Sequence, residues 1–426
     1  MTIPEDLLQF IWKLRLFQTD QLKTVHGDPI HVVQVGEQNN NAGPDFLFSK
    51  IRIGTVEWTG SVEIHMRASD WFSHGHHRDP QYHNVILHVV WDDDQDVYYK
   101  DGSLIPTFKL ANYVSEKLLD QYQRLMEGQR WIPCENQLHQ LDAFKIEHWI
   151  DRMAIERMEE KSQAILVLLN QFDGDWEKTF IVWLFRSFGF KVNAKAFEAL
   201  GEQVSTLLVQ KYRRDALKIE AMIFGQAGLL NTNFNEEYPL KLQQEYNYLK
   251  NAHELKETHF PLLFSRMRPH NFPTIRLAQL ANLLQHDRMH LQEILKIEKL
   301  NDFRVLMDQI QVATYWKTHF NFGKQSSLIS NHRLSTVSQN IVIINAFIVF
   351  TFSYGTYMGL EEFKEKAMYW LEELPAENNN IIDKFEQMGV SCLHAAHSQG
   401  LLHIKNRYCD FKQCLSCGIG LELLKR

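Results

Sequence analysis

The chain has 426 residues, 45% of them apolar and 23% charged. This composition is near the globular norm, predicts two or three domains, and excludes disorder and a small disulfide scaffold. A formal charge of −7 with a pI near 6.3 excludes a dedicated DNA-coating protein but not a nuclease, whose active site is acidic.

At the N-terminus no basic stretch precedes an apolar one, so no secretory signal is expected and the reading is cytoplasmic. Pro4–Phe17 spaces its apolar residues as an amphipathic helix, with Glu5 and Asp6 in the first turn. Short strand-like runs follow at Ile30–Val35, Ile51–Trp58, Ser61–Met66, Val85–Trp91 and Val97–Tyr99. Only Thr59 and Gly60 separate the second run from the third, which predicts a hairpin turning there. Gly36–Pro44 reads as a loop. These elements predict a small mixed sheet flanked by helices over residues 1–130.

Beyond Leu141 the period becomes helical. Ile146, Trp149, Ile150 and Met153 mark one long helix, and Trp176, Phe180, Trp183, Leu184 and Phe188 mark another. Further helices fit Ala194–Leu208, Arg213–Phe224, Leu240–Ala252, Thr274–Leu284, Leu291–Ile297, Leu360–Leu374 and Ile381–Gln387. Residues 140–426 are therefore expected to form a mainly α-helical region, large enough for two lobes. The aromatic stripe Trp176–Phe190 reads as core packing. No apolar run reaches the ~20 residues that cross a bilayer. The longest, Ile341–Phe352, is interrupted by Asn345, so no membrane partner is expected.

Chemistry concentrates between Gly43 and Trp91. In Val62-Glu63-Ile64-His65 strand alternation places Glu63 and His65 on one face. Asp45 lies just before the preceding strand, where a closing hairpin can bring it near Glu63. Two converging carboxylates would make an oxygen-rich pocket suited to Mg²⁺ or Mn²⁺. His65, His74, His76, His77, His83 and His88 crowd the same stretch. His74 and His76 are candidates for substrate contact from a loop. His88, on an apolar strand, is a candidate substrate contact or a core histidine. A His/carboxylate site for Zn²⁺, Mn²⁺ or Fe²⁺ is the chemical alternative.

Near the C-terminus Cys409, Cys414 and Cys417 form C-x₄-C-x₂-C, close enough to wrap one soft metal, zinc or an iron–sulfur cluster. A fourth ligand is needed. Cys392 is preferred on sequence proximity; Cys134, His394, His397 and His403 are the other choices.

Pro44-Asp45 followed by Glu63-Ile64-His65 resembles the PD-(D/E)xK nuclease superfamily, with His65 where that pattern has Lys. The resemblance implies a restriction-endonuclease-like α+β domain and a divalent-metal-dependent nuclease acting on DNA or RNA. It implies metal on Asp45 and Glu63, His65 at the water, and a further acid from the first helix, for which Glu5 stands ready. Across nearly the full length, Asn41-Ala-Gly-Pro-Asp-Phe46, Gly60-Ser-Val-Glu-Ile-His65, Asp70-Trp71 and Tyr82–Val90 resemble an uncharacterised bacterial family, domain of unknown function 2851. So do Arg268-Pro-His-Asn-Phe-Pro273 with Arg276 and the cysteine run. Arg268 and Arg276 are candidate phosphate contacts. The expected function is a metal-dependent nuclease. The alternatives are a non-catalytic nucleic-acid-binding or interaction protein on the same fold, and a His-rich metallohydrolase with another substrate.

Overall fold

The computed structural model describes residues 3–39, 41–257 and 260–426. Contacts gather the chain into two compact units, Met1–Ile146 with Lys405–Arg426, and Glu147–Ile404. The protein is α+β, with a mixed sheet in the first unit and helices through the second.

In the first unit, α1 (Glu5–Lys13) begins on two acids and ends on a lysine, the order a helix dipole favours. It buries Leu7, Leu8, Phe10, Ile11 and Trp12. The strands are β1 (Ile30–Gln34), β2 (Glu37–Gln38), β3 (Phe46–Ile53), β4 (Val56–Arg67), β5 (Val85–Asp92) and β6 (Thr107–Lys109), with α2 (Asp70–Ser73) after β4. The sheet order is β1-β3-β4-β5-β6, with β2 paired to β3. β3 and β4 are antiparallel, while β4, β5 and β6 run parallel. β5 lies between two parallel partners, and Val85–Val90 is buried on both faces. That position needs the near-continuous apolar run its sequence shows.

The hairpin does not turn at Thr59-Gly60. Its turn is Gly54-Thr55, where Gly54 takes φ +60°, and β4 runs unbroken through Gly60. Gly60 serves a close approach. A Cβ there would lie 2.4 Å from Ile86 Cγ2 and 2.6 Å from the Asn84 carbonyl oxygen. A glycine needed for space and a glycine needed for a turn look alike in sequence.

The second unit is built on α4 (Ala143–Gln171), α5 (Trp176–Phe188), α6 (Phe190–Gln203), α7 (Thr206–Tyr212), α8 (Ala216–Gln226), α9 (Glu237–His253) and α10 (Pro273–Leu283). α4 starts four residues inside the first unit's span. Asp175 caps α5, its carboxylate accepting from the Lys178 amide at 2.9 Å. Phe180, Phe185 and Phe188 are fully buried in the core, so the aromatic stripe is packing. A helix over Thr336–Met358 is longer than the apolar run Ile341–Phe352 at its centre. By length and composition it could cross a membrane, and 67% of its apolar window is buried inside the protein. Its Asn345 is satisfied there: Lys161 Nζ donates to its side-chain oxygen at 3.0 Å and Trp183 Nε1 to its carbonyl at 2.7 Å.

One carboxyl is enclosed in this unit. Glu220 is 5% exposed and accepts from the Tyr238 hydroxyl at 2.7 Å. Burial pushes its pKa from 4.5 up to about 7. The folded chain then keeps a proton that the unfolded chain releases above 4.5. Stability from this group is full below that pH and is lost as pH rises through about 7. Between pH 5 and 8, wild type should lose roughly 1–3 kcal/mol more than Glu220→Gln. Urea unfolding of both proteins at the two pH values measures this; equal losses would show that Glu220 is ionised in the folded state.

Candidate metal centre

Glu63 and His65 lie on the buried half of β4 and are 5% and 1% exposed. Asp45 reaches them through reciprocal bonds. Its backbone N–H donates to Glu63 Oε2 at 3.0 Å, and its Oδ2 accepts from the Ile64 amide at 2.9 Å. α1 supports it, since Gln9 Nε2 donates to Asp45 Oδ1 at 2.9 Å. Glu5, half-buried on the same helix, feels Asp45, Glu63 and His74.

The segment after β4 brings two more imidazoles. Gly75, at φ +78°, turns the chain between His74 and His76. Trp71, 1% exposed, anchors the segment, and Tyr82 stacks on His76 with ring centroids 3.8 Å apart. One ring nitrogen from each of His65, His74 and His76 falls in a set whose members all lie within 4.8 Å of one another. His65 Nε2 is 3.3 Å, and His76 Nε2 3.2 Å, from Glu63 Oε1. His76 Nε2 has no hydrogen-bond partner there. His76 Nε2 and Glu63 Oε1 thus approach without hydrogen-bond alignment.

His88, fully buried on β5, stands behind the cluster, its Nε2 2.8 Å from His65 Nδ1. In that place it orients His65 and is shielded from solvent. Arg268 and Arg276 belong to the second unit. Sequence spacing marked His74 and His76 without showing that they join His65; the positive φ of Gly75 makes that possible.

The electrostatics follow from burial. Burial, then Glu63, pushes Asp45 up to about 7. Burial pushes Glu63 up to about 8 and, with Asp45 and Glu63 next, Glu5 up to about 7. Burial and the neighbouring imidazoles hold His65 down to about 2 and His88 down to about 3. Burial thus favours the neutral form of His65, His76 and His88, the form that ligates metal. The pocket's carboxyls are costly to ionise without a cation beside them.

The thiols form a second cluster in the same unit. After α3 (Glu116–Met126), the Met126 carbonyl accepts from Lys412 Nζ at 2.7 Å. The Lys405 ammonium sits 5.2 Å from the Trp131 ring centroid. These contacts seat the C-terminal loop beside Cys134. Cys134, Cys414 and Cys417 are buried and Cys409 is half-buried. Burial pushes Cys134 and Cys414 up to about 12, and each feels its neighbours: Cys417 and Cys414 act on Cys134, and Cys417 acts on Cys414. Cys409 is raised by burial and by Cys134, Cys417 and Cys414. Cys134 thus neighbours the terminal three thiols. Cys392 lies in the second unit, where burial, Glu386 and Glu377 raise its pKa.

A family described as protein of unknown function (DUF2851) matches residues 5–380. No curated protein and no solved structure matches the chain.

His88→Phe should keep the core filled while removing the group that orients His65. Mn²⁺ affinity, measured by calorimetry, should fall ~10–100-fold, the usual cost of losing such a support. Unchanged affinity would remove His88 from any role in metal binding.

Proposed function

The chain belongs to the DUF2851 family, and from the geometry of its own residues we propose that it is a divalent-metal-dependent hydrolase of phosphodiester bonds, a nuclease. The observation that carries this reading is the convergence of His65, His74 and His76, with Glu63 against His65 and His76 and with Asp45 and Glu5 nearby. The order of helix, antiparallel pair and parallel strand supports a restriction-endonuclease-like core.

The donor set tests which ion fits. Three imidazoles with carboxylate oxygens suit Mn²⁺, Fe²⁺ or Zn²⁺ better than Mg²⁺, which prefers oxygen alone. Glu63, His65, His74 and His76 would hold the ion, with Asp45 completing the acidic side. Such an ion lowers the pKa of bound water and offsets charge on the phosphate. If His65 Nδ1 donates to His88, its Nε2 lone pair is left for ligation. Gln9 and the Ile64 amide fix Asp45. Glu5 is half-buried, and a pKa near 7 suits it to general-base work.

Purified protein with Mn²⁺ should cut DNA or RNA faster than with Mg²⁺. Asp45→Ala and Glu63→Ala should each lower kcat on the order of 10³-fold or more with the fold intact by circular dichroism. Hydrolysis of small esters but of no nucleic acid would favour the His-rich metallohydrolase. No hydrolysis under any divalent metal would leave a binding protein.

For the thiols we propose a structural zinc or iron–sulfur site on Cys134, Cys409, Cys414 and Cys417. Four sulfur donors in one buried region suit a soft ion, and a closed four-ligand set leaves no position for catalysis. Anaerobically purified protein should contain zinc or iron. Cys134→Ser should lose that metal and unfold at lower temperature, while Cys392→Ser keeps both. Equal metal content in all three proteins would defeat the assignment.

A further inference from the structure

The second unit contains a cavity of about 1180 Å³. Part of its wall is the Arg268-Pro-His-Asn-Phe-Pro273 motif with Arg276, which the metal centre leaves unused. The rest comes mainly from α4, the α5–α6 junction and the Thr336–Met358 helix, with Glu377, Gln399 and Leu402. Seven arginines and lysines line the cavity against one carboxylate, Glu377. Arg186 is neutralised by Glu198 at 2.5 Å. Lys191 and Arg268 are exposed, and no carboxylate lies within 4.0 Å of either among the described residues.

Arg276 shows what the cavity lacks. It is 5% exposed, yet its partners are neutral. Nη1 donates to Gln279 at 3.0 Å, and Nη2 to Asn271 at 2.7 Å and Ser338 at 3.2 Å. Its Nε has no hydrogen-bond partner. The Phe190 ring lies 4.3 Å from the guanidinium carbon. A guanidinium taken out of water without a counter-charge is strongly unfavourable. Half-buried Lys161 also donates to neutral groups. Its Nζ donates to the neutral oxygens of Asn345 and Gln399 at 3.0 and 2.9 Å. Burial and Arg157 push its pKa down to about 7, against the pull of Glu377.

The position of the motif is built. Asn193 on α6 clamps Leu263 through both amide groups, donating at 3.0 Å and accepting at 2.8 Å. Pro273 opens α10, and the Thr274 hydroxyl donates to the Phe320 carbonyl at 2.6 Å. Asn271 and Arg276 are therefore held together before any ligand arrives.

We propose that this cavity binds a phosphate-bearing ligand, with Arg276 as its buried cation, Lys161 as a half-buried one, and Lys191 and Arg268 at its rim. Planar guanidinium groups match phosphate oxygens bidentately, and an ammonium adds a compact charge. The volume is somewhat above the usual range of small-ligand pockets, enough for a nucleotide. The ligand's negative charge supplies what Arg276 does not have. This proposal does not rest on the metal centre.

The test uses the full-length protein with three probes: inorganic phosphate, adenosine 5′-monophosphate, and a short 5′-phosphorylated single-stranded oligonucleotide. Calorimetry and thermal unfolding are the readouts. At least one probe should bind and raise the unfolding temperature, more weakly as salt is added. Tighter binding of the oligonucleotide than of the monophosphate would identify a nucleic-acid end as the source; the reverse order identifies a free nucleotide. Lys191→Glu and Arg268→Glu, both at exposed positions, should weaken binding at least about tenfold. Arg276→Gln should raise the unfolding temperature of the free protein and abolish the rise caused by the probe. Glu63→Ala should bind as wild type does, so a failed nuclease would leave this result intact. No binding of any probe at millimolar concentration, or binding that both rim variants retain, overturns the proposal.

Discussion

A carboxylate and an imidazole are buried side by side on the central strand of the sheet, and the first unit is arranged around keeping them there. Glu63 and His65 are nearly inaccessible, and His88 behind them is wholly so. Each would be costly alone in a protein interior. They are tolerable because polar groups face them from several directions. Asp45 donates its amide to Glu63, His88 meets His65, and His76 and His74 approach from the segment after β4. α1 closes the side with Gln9 and Glu5. The same packing that makes the strand a sound core element thus concentrates carboxyl and imidazole groups at one point. A site on a central strand is also more rigid than one on loops alone.

The second unit handles buried polarity differently. Its core is overwhelmingly apolar, and its enclosed carboxyl, Glu220, is satisfied by one tyrosine and held near neutrality. Its cations are not neutralised in the same way. Arg276 and Lys161 donate to neutral amide and hydroxyl oxygens, and the one carboxylate of the cavity, Glu377, acts on Lys161 from beyond hydrogen-bond contact. Neutral partners of this kind keep a cation in place while leaving its field available to a ligand.

Much of the architecture was legible beforehand because helices and strands leave periodic traces. The stretch Leu240–Ala252 lies within α9, and Thr274–Leu284 nearly coincides with α10. β5 was visible as an apolar run, since a doubly covered strand has no polar face. The turn was misplaced because Gly60, required by Ile86 and Asn84, looks like a turn glycine. Proximity in sequence favoured Cys392 beside the terminal thiols, but Cys392 belongs to the second unit. Lys412 and Lys405 instead draw the C-terminal loop to the segment carrying Cys134.

From the sequence alone came the α+β class, the acidic and histidine-rich stretch, the pairing of Glu63 with His65 on one strand face, and three clustered thiols. These are local properties, set by side-chain alternation, composition and spacing over a few residues. Only the tertiary structure decided that His74 and His76 join His65 and that Cys134 neighbours the terminal thiols. It also decided that a motif far along the chain lines a basic cavity with an uncompensated arginine. Each of these depends on which distant backbone segments pack together, and that choice is made by burial of apolar surface over the whole unit. No local pattern carries it.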